Sequence, residues 1–265
     1  MKNILVPVDF SDGASNALSY AIELFKNQDL KITLLHIFGM QSTALMMKNI
    51  DGVLIKDAER QMESFLKKHK EKHPDVKFET KIRKNYPVDT IVQMSENNDF
   101  DYIVMGTKGA TGLKEVFLGS IAGGVVANSQ TPTIVVPDGY EFKGIDSIVL
   151  AVNDDPIKEL DSVKPLRDLA ITNNSSLTIL HITEGDIPHL VQLKSLLSDV
   201  NHNTDYSYSS GNVNNDINSY LEKKESHLIC LIRGRKSILD RLFDKSVTMK
   251  QTFNSPVPLL ILHDQ

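Results

Sequence analysis

Six of the chain's 14 glycines fall between Gly106 and Gly124, in the segment Met105-Gly-Thr-Lys-Gly-Ala-Thr-Gly-Leu-Lys-Glu-Val-Phe-Leu-Gly-Ser-Ile-Ala-Gly-Gly124. The segment follows the apolar run Tyr102-Ile-Val-Met105. Glycines placed directly after a buried strand let the backbone take positive angles and bring N–H groups close to a ligand. Gly119-Ser120 then opens a helical pattern, so unpaired N–H groups and the Ser120 hydroxyl would together face an anion. A charge-assisted hydrogen bond contributes about 1.5 to 3 kcal/mol net, so a handful of them reaches the roughly 8 kcal/mol of a micromolar phosphate ligand. No Gly-Lys-Ser/Thr follows at the spacing of a Walker loop, and the dinucleotide pattern Gly-x-Gly-x-x-Gly is missing too. The spacing found is Gly106-x2-Gly109-x9-Gly119-Ser120.

The elements that must position this segment occur twice. Asn3-Ile-Leu-Val-Pro-Val-Asp9 is matched by Ser147-Ile-Val-Leu-Ala-Val-Asn153, and Lys31-Ile-Thr-Leu-Leu-His-Ile37 by Leu177-Thr-Ile-Leu-His-Ile182. Tyr102-Ile-Val-Met105 pairs with Leu228-Ile-Cys-Leu-Ile232, and Pro132-Thr-Ile-Val-Val136 with Pro258-Leu-Leu-Ile-Leu262. A repeat this long describes two domains of one fold, expected at 1–138 and 145–265 with a linker at 139–144. The runs are rich in Val, Ile and Leu without polar alternation, as strands buried on both faces of a parallel sheet are. Between them, Ser11 can cap a helix carrying Ala14, Ala17, Leu18, Ala21, Ile22 and Phe25 on one stripe. Asp57 to Lys72 and Val88 to Asn97 are predicted as further helices, and Lys77 to Ile82 as the third strand. The class is α/β: two doubly wound domains, each a five-stranded parallel sheet with helices on both faces. Ligands of such sheets sit at the carboxyl ends of the strands, where the winding reverses.

With these elements in place, the glycine-serine spacing resembles the universal stress protein family, whose ATP-binding members carry Gly-x2-Gly-x9-Gly-Ser/Thr between the fourth strand and fourth helix. Val6-Pro7-Val8-Asp9-Phe10-Ser11, Leu35-His36-Ile37, Val104-Met105-Gly106-Thr107 and Thr133-Ile-Val-Val-Pro137 match the family's pattern as well. The resemblance implies an adenine nucleotide alpha hydrolase-like fold and a bound ATP, with AMP or ADP sharing the adenosine contacts. It implies that Pro7, Val8, Asp9 and Ile37 face adenine and ribose, with Asp9 as the ribose acceptor. Met105 and Gly106 would lie near the sugar and first phosphate, Gly109 beside the phosphates, and Gly119, Ser120 and Ile121 along the triphosphate. A divalent ion, Mg or Mn, would come with the nucleotide. Gly123 and Gly124 have the simpler reading of allowing close helix packing.

The second half departs from the signature: Asn153 stands for Asp9, Ala151 for Pro7, Arg233 for Gly106, Lys236 for Gly109 and Lys245 for Gly119. Side chains at three glycine positions would crowd the backbone cradle, so this half is expected not to bind ATP as the first does. Its basic residues Arg233, Arg235, Lys236, Arg241 and Lys245 could form a side-chain anion site or a solvated loop.

Composition excludes other classes. With 41% apolar residues, 24% charged and a net charge of -5, the chain has neither the signature of disorder nor a general attraction for phosphate backbones or anionic lipid. Nucleic acid and membrane are therefore not expected partners. The apolar run Ile4 to Val8 is too brief for a signal-peptide core, and a reducing cytoplasm is the expected compartment. Cys230, the single cysteine, is expected as a small buried strand residue. His69 and His73 have the spacing of a two-histidine metal face, set against a solvated, lysine-rich helix end. His36 and His181, at equivalent strand ends, are expected to be structural. The favoured function is that of an ATP-responsive stress or regulatory protein, and the alternative is a slow phosphate-transferring enzyme, for which Lys108, Lys114 and Ser120 are the candidates in this loop. A third, a structural module, has the last strands Thr133 to Val136 and Leu259 to Leu262 pairing within the chain as a pseudo-dimer, with possible homo-oligomers.

Overall fold

Uninterrupted aliphatic runs form most of the strands, and these are the least exposed parts of the chain. The computed structural model describes residues 1–38, 51–97, 99–107, 118–152, 157, 159–183, 191–208, 210, 212–233 and 255–264. Two compact units divide between Phe142 and Lys143.

In the first unit β1 (Lys2–Pro7), β2 (Leu30–Phe38), β3 (Lys77–Lys84), β4 (Tyr102–Gly106) and β5 (Thr133–Val136) alternate with α1 (Asp12–Phe25), α2 (Asp51–Lys70), α3 (Pro87–Asn97) and α4 (Ser120–Asn128). The sheet order is β3-β2-β1-β4-β5, all parallel. Ile4, Leu5, Val6, Ile103 and Val104 are fully buried at its centre. Right-handed crossovers put α1 and α2 on one face and, after the winding reverses between β1 and β4, α3 and α4 on the other. Helix α1 starts where the sequence places its cap: Ser11 Oγ accepts from Ala14 N–H at 3.2 Å. Its buried face includes Ala14, Ala17, Leu18, Ala21, Ile22 and Phe25, the predicted stripe.

Two features differ from expectation. Helix α2 begins at Asp51 rather than Asp57, because Val53 and Ile55 are exposed and its buried stripe starts only at Ala58. The same stripe, Ala58, Met62, Phe65 and His69, runs to the helix end, so His69 is 3% exposed and not solvated. The segment after β5 makes contacts with α1. Tyr140 and Phe142 pack edge-on against Tyr20 at 6.0 and 5.3 Å, and Asn16 Nδ2 donates to Pro137 O.

The second unit repeats the order. Its strands are β6 (Ser147–Val152), β7 (Ser176–Thr183), β8 (His202–Tyr208), β9 (Leu228–Arg233) and β10 (Leu259–His263), arranged β10-β9-β6-β7-β8 and parallel. A short 3-10 helix (Leu160–Val163), α5 (Lys164–Asn173), α6 (Val191–Leu196) and α7 (Val213–Lys223) connect them. Cys230 lies fully buried in β9, and burial pushes its thiol well up. Among the described residues, no helix is long and apolar enough to cross a membrane.

Candidate functional site

The sheet order of the first unit reverses between β1 and β4, and both strands end in residues that the sequence singles out. Pro7 closes β1, and the chain runs on through Val8 and Asp9 into α1. Val8 N–H donates to Leu35 O at 2.8 Å, which extends the pairing with β2 by one residue. Val8 O in turn receives the Nδ1–H of His36 at 2.8 Å, so this ring is in the Nδ1-protonated tautomer and ties the ends of β1 and β2 together. His36 is thereby a satisfied structural histidine, as expected.

The turn into α1 depends on a residue that sequence reasoning missed. Phe10 has φ 64°, in the left-handed region that a bulky side chain rarely enters, at a cost of about 1 to 3 kcal/mol. Its ring stacks on His36 with centroids 4.3 Å apart and meets Phe65 edge-on at 5.9 Å, which offsets that cost. The reversal turns Asp9 back onto the helix start: its Oδ1 accepts from Ser11 N–H at 3.1 Å and from Ser11 Oγ at 2.5 Å. The carboxylate at the strand end is thus oriented by the same serine that caps α1. Behind it, His69 Nε2 and Ser15 Oγ lie 3.0 Å apart, joining α2 to α1. Burial above all, with the charges of Lys68, His73 and Lys72, pulls the His69 pKa down to about 4, so the ring is neutral at neutral pH.

On the other side of the reversal, Gly106 is the last residue of β4, in register with Val136. Thr107 N–H donates to Val136 O at 3.1 Å, and Gly119 N–H donates to Thr107 O at 2.7 Å. The glycine-rich segment therefore leaves and returns at one point, with Gly119 as the N-cap of α4 and no side-chain cap there. Gly123 N–H to Gly119 O, 2.8 Å, closes the first turn. The N–H groups of Ser120, Ile121 and Ala122 precede any intrahelical acceptor, the usual condition of a first turn and the source of its positive potential. Ser120 is exposed, and Ile121 is 37% exposed although its type suggests core. Thr107 Oγ1 is buried without a hydrogen-bond partner, a second feature with no signal in the sequence.

Of the ten candidate residues, Val8 and Met105 are buried, and Pro7, Asp9, Ile37, Gly106 and Gly119 are half-buried. Ser120 and Ile121 stand at the helix start, and Gly109 lies outside the described residues, with Lys108 and Lys114. A group bearing phosphates fits this donor set: an uncapped helix start, a glycine at the strand end, and an oriented carboxylate across the reversal. Gly124 has the packing role. A Cβ there would lie 2.6 Å from Val88 Cγ2.

The second unit offers no such set among the described residues. Val152 ends β6 and Arg233 ends β9, where the first unit has Pro7 and Gly106. Asn153, Arg235, Lys236, Arg241, Lys245 and Ser246 lie outside the described residues.

Comparisons with known proteins converge on one family. The model of the universal stress protein family matches residues 1–137. Universal stress protein MJ0531 of Methanocaldococcus jannaschii is 31% identical over 138 residues, spanning 51% of this chain and 81% of that protein. Universal stress protein MJ0577 of the same organism is 32% identical over 157 residues, spanning 51% of this chain and 94% of that protein. The crystal structure of a universal stress protein from Archaeoglobus fulgidus superimposes with a TM-score of 0.78 at 18% identity, over 99% of this chain and 96% of that one, a likeness of fold. With its glycine-serine signature at the end of β4 and a family match over more than half its length, the chain belongs to the universal stress protein family.

Proposed function

We propose that the first unit binds ATP and that the nucleotide acts as a conformational or assembly ligand of a stress-response protein. The observation that carries this reading is the pairing, across the sheet's reversal point, of an oriented Asp9 with a glycine-capped start of α4 that has no side-chain cap. Asp9 is the group suited to the ribose hydroxyls, and the turn at Pro7 and Val8 with Ile37 forms the adenine side. Met105 and Gly106 flank the sugar and first phosphate. Gly109, Gly119, Ser120 and Ile121 serve the triphosphate, whose charge the first-turn N–H groups and the Ser120 hydroxyl meet. Mg or Mn would accompany the phosphates, and AMP or ADP would share the adenosine contacts. Binding the folded first unit in preference to other states stabilises it in proportion to the logarithm of nucleotide concentration. The second unit, with Arg233 in place of Gly106, is silent toward ATP.

The test is native mass spectrometry of protein purified without added nucleotide, followed by ATP titration of wild type and of a Gly109→Lys, Gly119→Lys variant. One adenine nucleotide per chain, lost in a variant that keeps its circular dichroism, is the expected result. A well-folded wild type that binds none at millimolar ATP overturns the reading.

A further inference from the structure

The second unit ends β9 in a basic side chain where the first unit ends β4 in glycine. Arg233 closes β9 as Gly106 closes β4, and β9 stands beside β6 at the point where this unit's sheet order reverses. Ligands of open parallel sheets lie outside the strand ends at that point. His263 closes β10 in direct register with Arg233, so the two side chains leave neighbouring parallel strands on the same face. Asp264 N–H donates to Arg233 O at 2.7 Å and fixes the two strand ends against each other. Asp264 itself, one residue on, points to the other face, where its Oδ1 accepts from Glu159 N–H at 2.7 Å.

An independent feature of this corner points to a ligand. His263 Nε2 is buried and has no hydrogen-bond partner. Buried polar atoms are rarely left in that state, and this one lies beside Arg233 at the strand ends, where a bound group would satisfy it. Burial first, and then the charge of Arg233, pull the His263 pKa down to about 4, so the ring is neutral at neutral pH.

We propose that the ends of β9 and β10 form an oxyanion site in the second unit, in which Arg233 and His263 hold a phosphate group by side-chain donors. The planar guanidinium matches two phosphate oxygens at once, and the Nε2–H tautomer of His263 supplies a further donor from the same face. Side chains thereby replace the backbone amides of a glycine cradle, and the site stands whether or not the first unit binds ATP. An anion seated against Arg233 offsets that charge at His263, so its imidazole becomes easier to protonate.

The test follows the histidine ring resonances of the full chain by NMR during titration with inorganic phosphate, with sodium chloride at matched ionic strength as the control. The expected result is a saturable shift at His263 with a low-millimolar midpoint, together with a rise of its pKa above about 4. Arg233→Gln should weaken the midpoint at least about tenfold. His181, buried in β7 of the same unit, reports whether each variant keeps its fold. Should Arg233→Gln disturb His181, Arg233→Lys keeps the charge without the fork and should weaken binding severalfold. A tighter midpoint with a sugar phosphate than with inorganic phosphate would assign a phosphorylated metabolite, and the reverse the free anion. The proposal is overturned if His263 shows no saturable shift, if chloride reproduces the shift, or if the midpoint is unchanged in a folded Arg233 variant.

Discussion

Replacing Gly124 by alanine sets two effects of opposite sign against each other. In an isolated helix the change stabilises by about 1 kcal/mol, since glycine carries the larger backbone entropy cost. In this protein the new methyl would stand 2.6 Å from Val88 Cγ2, 3.1 Å from Cγ1 and 3.5 Å from Cβ. Carbon atoms pack at about 3.5 to 4.0 Å, so α3 and α4 must part by about 1 Å or Val88 must turn. Val88 cannot turn cheaply: a β-branched residue in a helix has one strongly preferred rotamer, and both of its γ-carbons already face the glycine. Overpacking of this kind costs about 1 to 3 kcal/mol, which exceeds the helix-propensity gain. Gly124→Ala is therefore expected to destabilise by about 1 kcal/mol net, and Val88→Ala in the same chain should restore the loss, with a coupling of about 1.5 kcal/mol or more in the double-mutant cycle. Urea unfolding followed by circular dichroism measures this. The chain has no tryptophan, and two units can unfold in two steps, so the midpoint of the affected step at constant slope is the quantity to compare. A Gly124→Ala chain more stable than wild type, or two effects that simply add, would refute the reasoning.

Other perturbations are resolved by the same measurements. His69 has a folded-state pKa of about 4 against an ordinary 6.5, so the unfolded chain binds the extra proton between those values and stability falls as pH drops through that window, by up to about 3 kcal/mol. His69→Gln should flatten this acid limb, and a limb as steep as that of wild type would show that the ring is not held neutral. Ser11→Ala removes both the cap of α1 and the hydroxyl that orients Asp9, and should cost about 1 kcal/mol in thermal unfolding. In the second unit, Asp205 accepts from Tyr220 OH and Lys224 Nζ, each at 2.6 Å, contacts that hold its carboxyl below the usual range. Tyr220→Phe should therefore cost about 1 kcal/mol and raise the Asp205 pKa as seen by carboxylate NMR. An Asp205 titration unmoved by the change would assign the shift to Lys224 alone.

What could be read from sequence and what could not divide along physical lines. The strands were legible because a run such as Ile103-Val104-Met105 has no reason to be apolar throughout unless both faces are covered, and it is buried. The start of α1 was legible because a serine hydroxyl can satisfy a first-turn N–H only from the N-cap. Helix α2 was read six residues short because Val53 and Ile55 are exposed, so its first turns add nothing to the periodic signal. His69 was misread because its lysine neighbours outweighed a pattern that was present: Ala58, Met62, Phe65 and His69 follow helical spacing, and the ring completes the stripe. Phe10 could not have been read at all. No local rule puts a phenylalanine at positive φ, and only the long-range stack on His36 and Phe65 makes it tolerable.

The two units also show why one fold can carry different side chains at the same corner. In β9, Leu228, Ile229, Cys230 and Leu231 are fully buried, as Ile103 and Val104 are in β4, so the strand's contribution to stability is made before its last residue. Gly106 and Arg233, at that last residue, are both half-buried. A change there alters which donors face the crevice without opening a cavity or overfilling the core, the two mechanisms that make core substitutions costly. Changes within β4 or β9 would be limited by packing, whereas changes at their ends are limited only by what must bind there. On the proposed reading, the glycine-serine end of the first unit is for this reason a functional constraint rather than a folding one. Its substitution by lysine should remove nucleotide binding while leaving the unfolding midpoint almost where it was.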